Sequence, residues 1–146
     1  MAPDADVTFE RAVLPEFDPD RQFDVVSSFY TLCYVADVER ALQNLFDAVV
    51  PGGYLLITYH NEYAQSIFES IAESPTDYLD ETSAWDPDHF AERFELVIGG
   101  ENLLSYRRIR DVLGSWPQSV WSVAENAERY DAWRQNPFVF VPKPER

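Results

Sequence analysis

Residues 23–58 read FDVVSSFYTLCYVADVERALQNLFDAVVPGGYLLIT, and no other stretch narrows the fold so far. Phe23-Asp24-Val25-Val26-Ser27-Ser28 is apolar and β-branched without clean alternation, the pattern of a strand covered on both faces of a parallel sheet. Behind Asp37, a residue suited to an N-cap, Val38, Ala41, Leu42, Leu45, Phe46 and Val49 recur at helical spacing and mark one apolar face. Pro51-Gly52-Gly53 stops that helix, because proline cannot continue the hydrogen bonding and glycine tolerates a left-handed turn. Residues 54–59 form a second buried strand. Strand, helix and strand in succession argue for α/β layering with right-handed crossovers.

The flanking sequence adds weaker elements. Residues 7–10 are expected as a short strand, followed by a loop through Pro15 and Pro19. Asn61 caps a helix with Ala64, Ile67, Phe68 and Ile71 on its buried side, ending before Pro75. Residues 75–87 are polar and read as a connection or lid. Residues 94–98 (FELVI) are expected as a third strand, ending at Gly99-Gly100. Residues 105–113 predict a short helix terminated by Gly114, and WPQSVWSV after it is aromatic and irregular. Residues 137–142 make a last strand bounded by prolines, which suits a place near the edge of a sheet. No repeat or linker interrupts the chain, so residues 1–146 are expected as a single domain.

Composition bounds what such a domain does. A hydrophobic fraction of 46%, with ten Phe, eight Tyr and four Trp, supplies a real core. Twenty-six acidic residues face eleven basic ones for a formal charge of -15, and Lys143 is the only lysine. Such a surface repels phosphates, so nucleic acid is not an expected partner. Acidity spread along the whole chain with almost no lysine resembles proteins of salt-saturated cytoplasm, as in halophilic archaea, where salt screens the self-repulsion. Cys33 is the only cysteine and allows no intrachain disulfide. No apolar run is long enough to cross a bilayer, and APDADV lacks the marks of a signal peptide. A cytoplasmic protein without a membrane anchor is the expectation.

The Phe-Asp-Val-Val strand, the helix ending in Pro-Gly-Gly, and more weakly the closing NPFVFVPK resemble the second half of class I S-adenosylmethionine-dependent methyltransferases. The resemblance implies a three-layer α/β sandwich with a mostly parallel sheet, a Rossmann-like methyltransferase fold lacking its first strands. It implies S-adenosylmethionine as cofactor and a small-molecule methyl acceptor. In the family, the segment after the first of these strands lines the cofactor's methionine end and the acceptor pocket. Here that segment corresponds to Ser27, Ser28 and Phe29 for the cofactor and Tyr30 for the acceptor. The family's glycine-rich cofactor loop has no counterpart, since Gly52, Gly53, Gly99, Gly100 and Gly114 all fall elsewhere. The family's acidic adenine contact would fall near Arg11-Ala12. The missing strands would leave the strand at Phe23 with an open edge, available for self-association or for pairing with an N-terminal half.

Ligands in open α/β sheets sit outside the carboxyl ends of the strands, so Tyr59, His60 and Asn61 share a rim with residues 27–30. Tyr59 and Asn61 are candidate acceptor contacts. His60 is a candidate general base because its ordinary pKa lies near neutrality, and Tyr30 is the other catalytic candidate. A histidine bonded to a nearby carbonyl is the plainer reading of His60, as is packing for the aromatic rim. His89, in WDPDHF, reads as surface. Cys33 reads as a buried inert thiol, and no spacing of His60, His89 and Cys33 suits a metal. The four tryptophans are assigned to core or lid packing, with the cover of an apolar acceptor as the alternative. Asp18 with Asp20, and Asp86 with Asp88, are assigned to solvation. Three readings stay open: a truncated methyltransferase, a non-catalytic remnant or partner subunit associating through its open edge, and an unrelated small α/β binding protein.

Overall fold

The computed structural model describes residues 6–14, 16–125 and 128–145; the N-terminal stretch 1–5, Pro15 of the expected loop and the terminal Arg146 lie outside the described residues. Four strands form one sheet in the order β1 (Phe23–Ser28), β2 (Val49–Thr58), β4 (Phe138–Pro142), β3 (Gln118–Ser119). β1 and β2 are parallel, whereas β4 is antiparallel to both β2 and β3, so three strands share a direction and β4 opposes them.

The parallel pair is joined by α1 (Val38–Asp47), which begins where the Asp37 side chain accepts a hydrogen bond from the Arg40 backbone N–H at 3.3 Å. Val38, Ala41, Leu42, Leu45 and Phe46 are buried as the periodicity requires. Val49 is a correction: it does not close the helix but opens β2, because the preceding Ala48 carbonyl accepts the Phe23 N–H at 2.8 Å and draws the chain into the sheet. Pro51-Gly52-Gly53 is likewise not a turn before the strand. It is a bulge inside β2, with the register passing from Phe23 opposite Val49 to Val25 opposite Tyr54. A positive φ at one and a close approach at the other require these glycines. Gly52 has φ +87, and a Cβ on Gly53 would lie 2.3 Å from the Asp24 carbonyl oxygen. The Gly52 N–H donates to the Lys143 carbonyl and the Lys143 N–H to the Gly53 carbonyl, both at 2.8 Å, so the bulge stays paired.

The two faces of the sheet differ. Leu55, Ile57, Val139 and Val141 point to the side covered by α1 and by α6 (Tyr106–Leu113), where Ile109 completes the main core. Alternation puts Val25, Ser27, Tyr54, Leu56 and Phe140 on the other side. There the helical layer is reduced to the short α7 (Val120–Val123), which lies against β4, and Val25 and Tyr54 remain 42% and 40% exposed.

A second apolar cluster lies beyond the carboxyl ends of β1 and β2. It joins Ala64 of α2 (Glu62–Glu73), Phe90 of α4 (Phe90–Arg93), Val97 of α5 (Glu95–Ile98), Phe94 and Cys33, with Phe68 packed on it. α3 (Pro75–Tyr78) starts on its proline and occupies part of the expected connection. The strand expected at 94–98 is helical instead. Phe90, Phe94 and Val97 recur at helical spacing against Phe68, and no strand edge is offered to them. The strand expected at 7–10 is absent, and these residues are exposed without a sheet partner. Ser105, expected as the first residue of the helix, instead caps α6 by accepting from the Arg108 N–H at 3.1 Å, and Gly114 ends it in the left-handed region at φ +75, as the sequence predicts. The segment expected to be irregular supplies β3 and α7, and α8 (Glu128–Ala132) follows. β4 lies second from the edge with only the two-residue β3 outside it.

Candidate functional site

β1 and β2 both end on one rim, and the chain turns sharply there. Tyr30 adopts φ +54, a left-handed conformation that is uncommon for an aromatic residue. Its backbone N–H is held by the buried Thr58 hydroxyl at 2.8 Å, which ties the exit of β1 to the last residue of β2. The same turn leaves the Phe29 and Tyr30 rings partly exposed and aimed along the rim. Phe29 meets Phe138 edge to face at 5.3 Å between centroids, and Tyr30 lies 6.2 Å from Trp133.

Two pockets adjoin at the Phe29–Phe138 contact. The first, about 340 Å³, is lined by Ser27, Ser28 and Phe29 together with Glu10, Leu14 and Phe17 of the N-terminal segment. The second, about 260 Å³, is lined by Tyr59, Asn61, Trp121, Trp133, Arg134 and Phe138 among others. Trp121 packs at 5.6 Å from both Trp133 and Phe138. Asn61 does double duty at the mouth: its oxygen caps α2 by accepting from the Ala64 N–H at 3.0 Å, and its amide donates to the Arg134 carbonyl at 2.8 Å. That second bond clips the segment after α8 onto the end of β2. Arg134 in turn donates to the Tyr63 hydroxyl at 3.0 Å and faces Asp131 at 3.4 Å.

The structure therefore places Tyr59 and Asn61 on the second pocket and Ser27, Ser28 and Phe29 on the first, whereas Tyr30 lines neither and meets the second only through its ring contact with Trp133. His60 is different. It does not line the second pocket, and its ring packs 5.3 Å from Phe68 in the second apolar cluster. Burial lowers its pKa from 6.5 to about 4, so the ring is neutral at pH 7. Its carbonyl accepts from the Leu104 N–H at 2.9 Å. Burial also pushes the Cys33 thiol up to about 11, leaving it protonated, and its Sγ donates to the Tyr30 carbonyl at 3.7 Å. His89 is exposed and pairs with Asp86 at 2.9 Å. Among the described residues no group of three or more His, Cys, Asp or Glu is placed to hold a metal ion. No helix among them is long and apolar enough to cross a membrane.

Sequence reasoning did not assign Trp121, Trp133, Arg134 and Phe138 to the site. The one signal available was the density of tryptophan in the C-terminal half, and it does not say which ring faces a pocket.

A parallel strand pair crossing through a helix, with pockets at its carboxyl rim, defines the chain as an α/β protein of Rossmann-like class. The profile of the methyltransferase domain family matches residues 3–119, and the chain belongs to that family. None of the curated proteins matches it. Among solved structures, a S-adenosylmethionine-dependent methyltransferase from Mesorhizobium loti is 18% identical with a TM-score of 0.54, over 97% of this chain and 71% of that one. A possible exported protein from Bordetella parapertussis is 19% identical with a TM-score of 0.45, over 87% of this chain and 41% of that one. PKMT2 from Rickettsia typhi, solved with AdoHcy, is 9% identical with a TM-score of 0.38, over 89% of this chain and 37% of that one. The chain thus spans well under half the length of two of these three proteins. The Mesorhizobium likeness supports the fold class: α/β, Rossmann-like, without the first strands.

Proposed function

We propose that this chain is the acceptor-binding part of an S-adenosylmethionine-dependent methyltransferase whose cofactor cradle is supplied by a preceding half. The observation that carries the reading is the pair of adjoining pockets at the carboxyl ends of β1 and β2, meeting where Phe29 touches Phe138. The residues present fit only one end of the cofactor. Ser27, Ser28 and Phe29 line a pocket suited to its methionine end. No glycine among the described residues follows a strand and opens a helix: Gly52 and Gly53 form the β2 bulge, Gly99 and Gly100 follow α5, and Gly114 ends α6. The nucleotide end therefore needs residues from elsewhere. When bound, S-adenosylmethionine supplies an electrophilic methyl group.

The part played by this chain is to bind and orient a small acceptor. Tyr59 and Asn61 shape the second pocket, and Tyr30 stands over its Trp133 wall. Holding an acceptor in line contributes through position rather than through proton chemistry. His60, neutral and with a pKa of about 4, abstracts a proton only weakly at neutral pH, which leaves Tyr30 as the candidate polar contact at the reacting end. Titration of S-adenosylhomocysteine tests the reading. The isolated chain is expected not to bind it, whereas the protein with its preceding half binds saturably. Binding by residues 1–146 alone would overturn the division of labour.

A second reading, a partner subunit that associates through its sheet, is favoured by one feature. Among the described residues β1 pairs with β2 alone, and the face carrying Val25 and Tyr54 is thinly covered. A second copy would bring another -15 to the contact, so the occupant that fits is a chain contributing a strand beside β1 and helices over that face. The mass of the native particle separates the readings. One longer chain supports the first, two different chains support the second, and a particle of 16.9 kDa removes both.

A further inference from the structure

α2 carries apolar side chains on two sides. Ala64 and Phe68 belong to the second apolar cluster, whereas Tyr63 and Ile67 stay 49% and 36% exposed on the outer face. A helix packed along one side is expected to turn charged and polar residues outward, so this second stripe adds nothing to the core. Tyr78 of α3, 59% exposed, stands beside it, and Tyr63, Ser66, Ile67, Ser70 and Tyr78 line an open groove of about 620 Å³ together with Glu62. An exposed apolar patch with a polar rim is the usual mark of a docking surface.

The local sequence gives the groove one sign of charge. Residues 61–92 hold nine of the chain's twenty-six acidic residues and none of its eleven lysines and arginines. Glu62, Glu69 and Glu73 recur at i, i+7 and i+11, which sets them along one edge of α2 beside the Tyr63–Ile67 stripe. A cation that does reach this face comes from far along the chain: the Arg134 guanidinium donates to the Tyr63 hydroxyl at 3.0 Å and lies 5.1 Å over its ring. That contact shows one end of the stripe accepting an arginine. A second copy of the chain would bring its own carboxylates to the same edge, and the two would repel.

We infer that the groove on α2 and α3 docks a basic amphipathic segment of another polypeptide. Its apolar side chains lie on Tyr63, Ile67 and Tyr78, and its arginines lie along Glu62, Glu69 and Glu73. Apolar contact holds the segment in place, while the carboxylate edge selects its charge and sets its direction along α2. The groove shares no lining residue with the two rim pockets, so its occupancy stands apart from the reading under Proposed function.

The test titrates the chain with synthetic peptides by calorimetry in about 0.5 M and about 2 M KCl. One peptide carries leucine at helical spacing with arginine between, a second has the same composition in scrambled order, and a third has glutamate for every arginine. The first is expected to bind saturably at one site, about tenfold or more tighter than either of the others, and to weaken in the higher salt. Ile67→Ser combined with Tyr78→Ser is expected to weaken it about tenfold, and Glu69→Gln combined with Glu73→Gln about fivefold at the lower salt. Asp18→Asn combined with Asp20→Asn removes the same charge from another surface and is expected to change the affinity by less than about twofold, which separates the groove from the general field of an acidic chain. No saturable binding, equal binding of the scrambled peptide, or equal losses from the two charge-removing pairs would each overturn the inference. So would dimerisation of the chain that disappears in Ile67→Ser with Tyr78→Ser, or loss of peptide binding once the preceding half is joined, because a second copy or that half would then hold the groove. Failure of S-adenosylhomocysteine to bind the completed protein would leave this result intact.

Discussion

His60 sits where it is neutral in the folded protein and readily charged in the unfolded one, and that difference makes stability depend on pH. Its pKa falls from 6.5 to about 4 because burial beside Phe68 penalises the imidazolium. The unfolded chain takes up a proton below about pH 6.5 and the folded chain does not until about pH 4, so the unfolded state holds more protons in between and stability drops as pH falls. From the two pKa values, His60 contributes a loss of about 2 kcal/mol between pH 7 and pH 5, approaching about 3 kcal/mol below pH 4. Many carboxylates also titrate in this window, so the effect is isolated by comparison with His60→Leu, which cannot protonate and keeps an apolar contact to Phe68. Urea unfolding at pH 7 and pH 5 measures it, both values lying above the pI of about 4.3. With a slope of roughly 2 kcal/mol per molar urea, the midpoint of the native protein falls about 1 M further than that of the variant. Parallel pH profiles for the two proteins would refute the burial of His60 beside Phe68, and with it the case against His60 as a general base.

Other positions give sharper local tests. Gly53→Ala is expected to cost about 2–3 kcal/mol in urea unfolding, because its Cβ would meet the Asp24 carbonyl oxygen at 2.3 Å, whereas Gly114→Ala, with φ +75 and open space, costs about 1 kcal/mol; equal losses would contradict the close strand approach. Asn102 is buried and its amide faces the carbonyls of Leu32, Cys33 and Val35 at 3.1, 2.9 and 3.1 Å. Asn102→Ala is therefore expected to lose about 2–4 kcal/mol, and amide exchange in residues 31–35 should quicken more than in β2. Thr58→Val removes the acceptor of the Tyr30 N–H and should cost about 1–3 kcal/mol in urea unfolding; an unchanged midpoint would show that this bond does not hold the turn.

Local signals in the sequence were legible where one residue's chemistry settles the outcome. Asp37 and Asn61 cap their helices as expected because an N-cap needs only a short polar side chain and a free N–H two or three residues on. Gly114 ends α6 for an equally local reason. The buried face of α1 followed from its periodicity up to Phe46. The failures all depend on a neighbour. FELVI is too short for period to separate helix from strand, and α2 decided it by offering Phe68 rather than a sheet edge. Residues 7–10 have the composition of a strand but no strand beside them to pair with.

By itself, then, the sequence determined the crossover unit, the caps at Asp37 and Asn61, the Gly114 stop and the rim on which Tyr30, Tyr59 and Asn61 sit, because these follow from residue chemistry and spacing within one or two elements. Only the tertiary structure decided three things. Pro-Gly-Gly is a bulge set by the approach of Asp24. β4 inserts antiparallel between β2 and β3. Trp121, Trp133 and Phe138 come together beside the Asn61–Arg134 clip to wall a pocket. Each joins segments distant in the chain, and the free energy that selects among such pairings comes from packing and hydrogen bonds that no local pattern encodes.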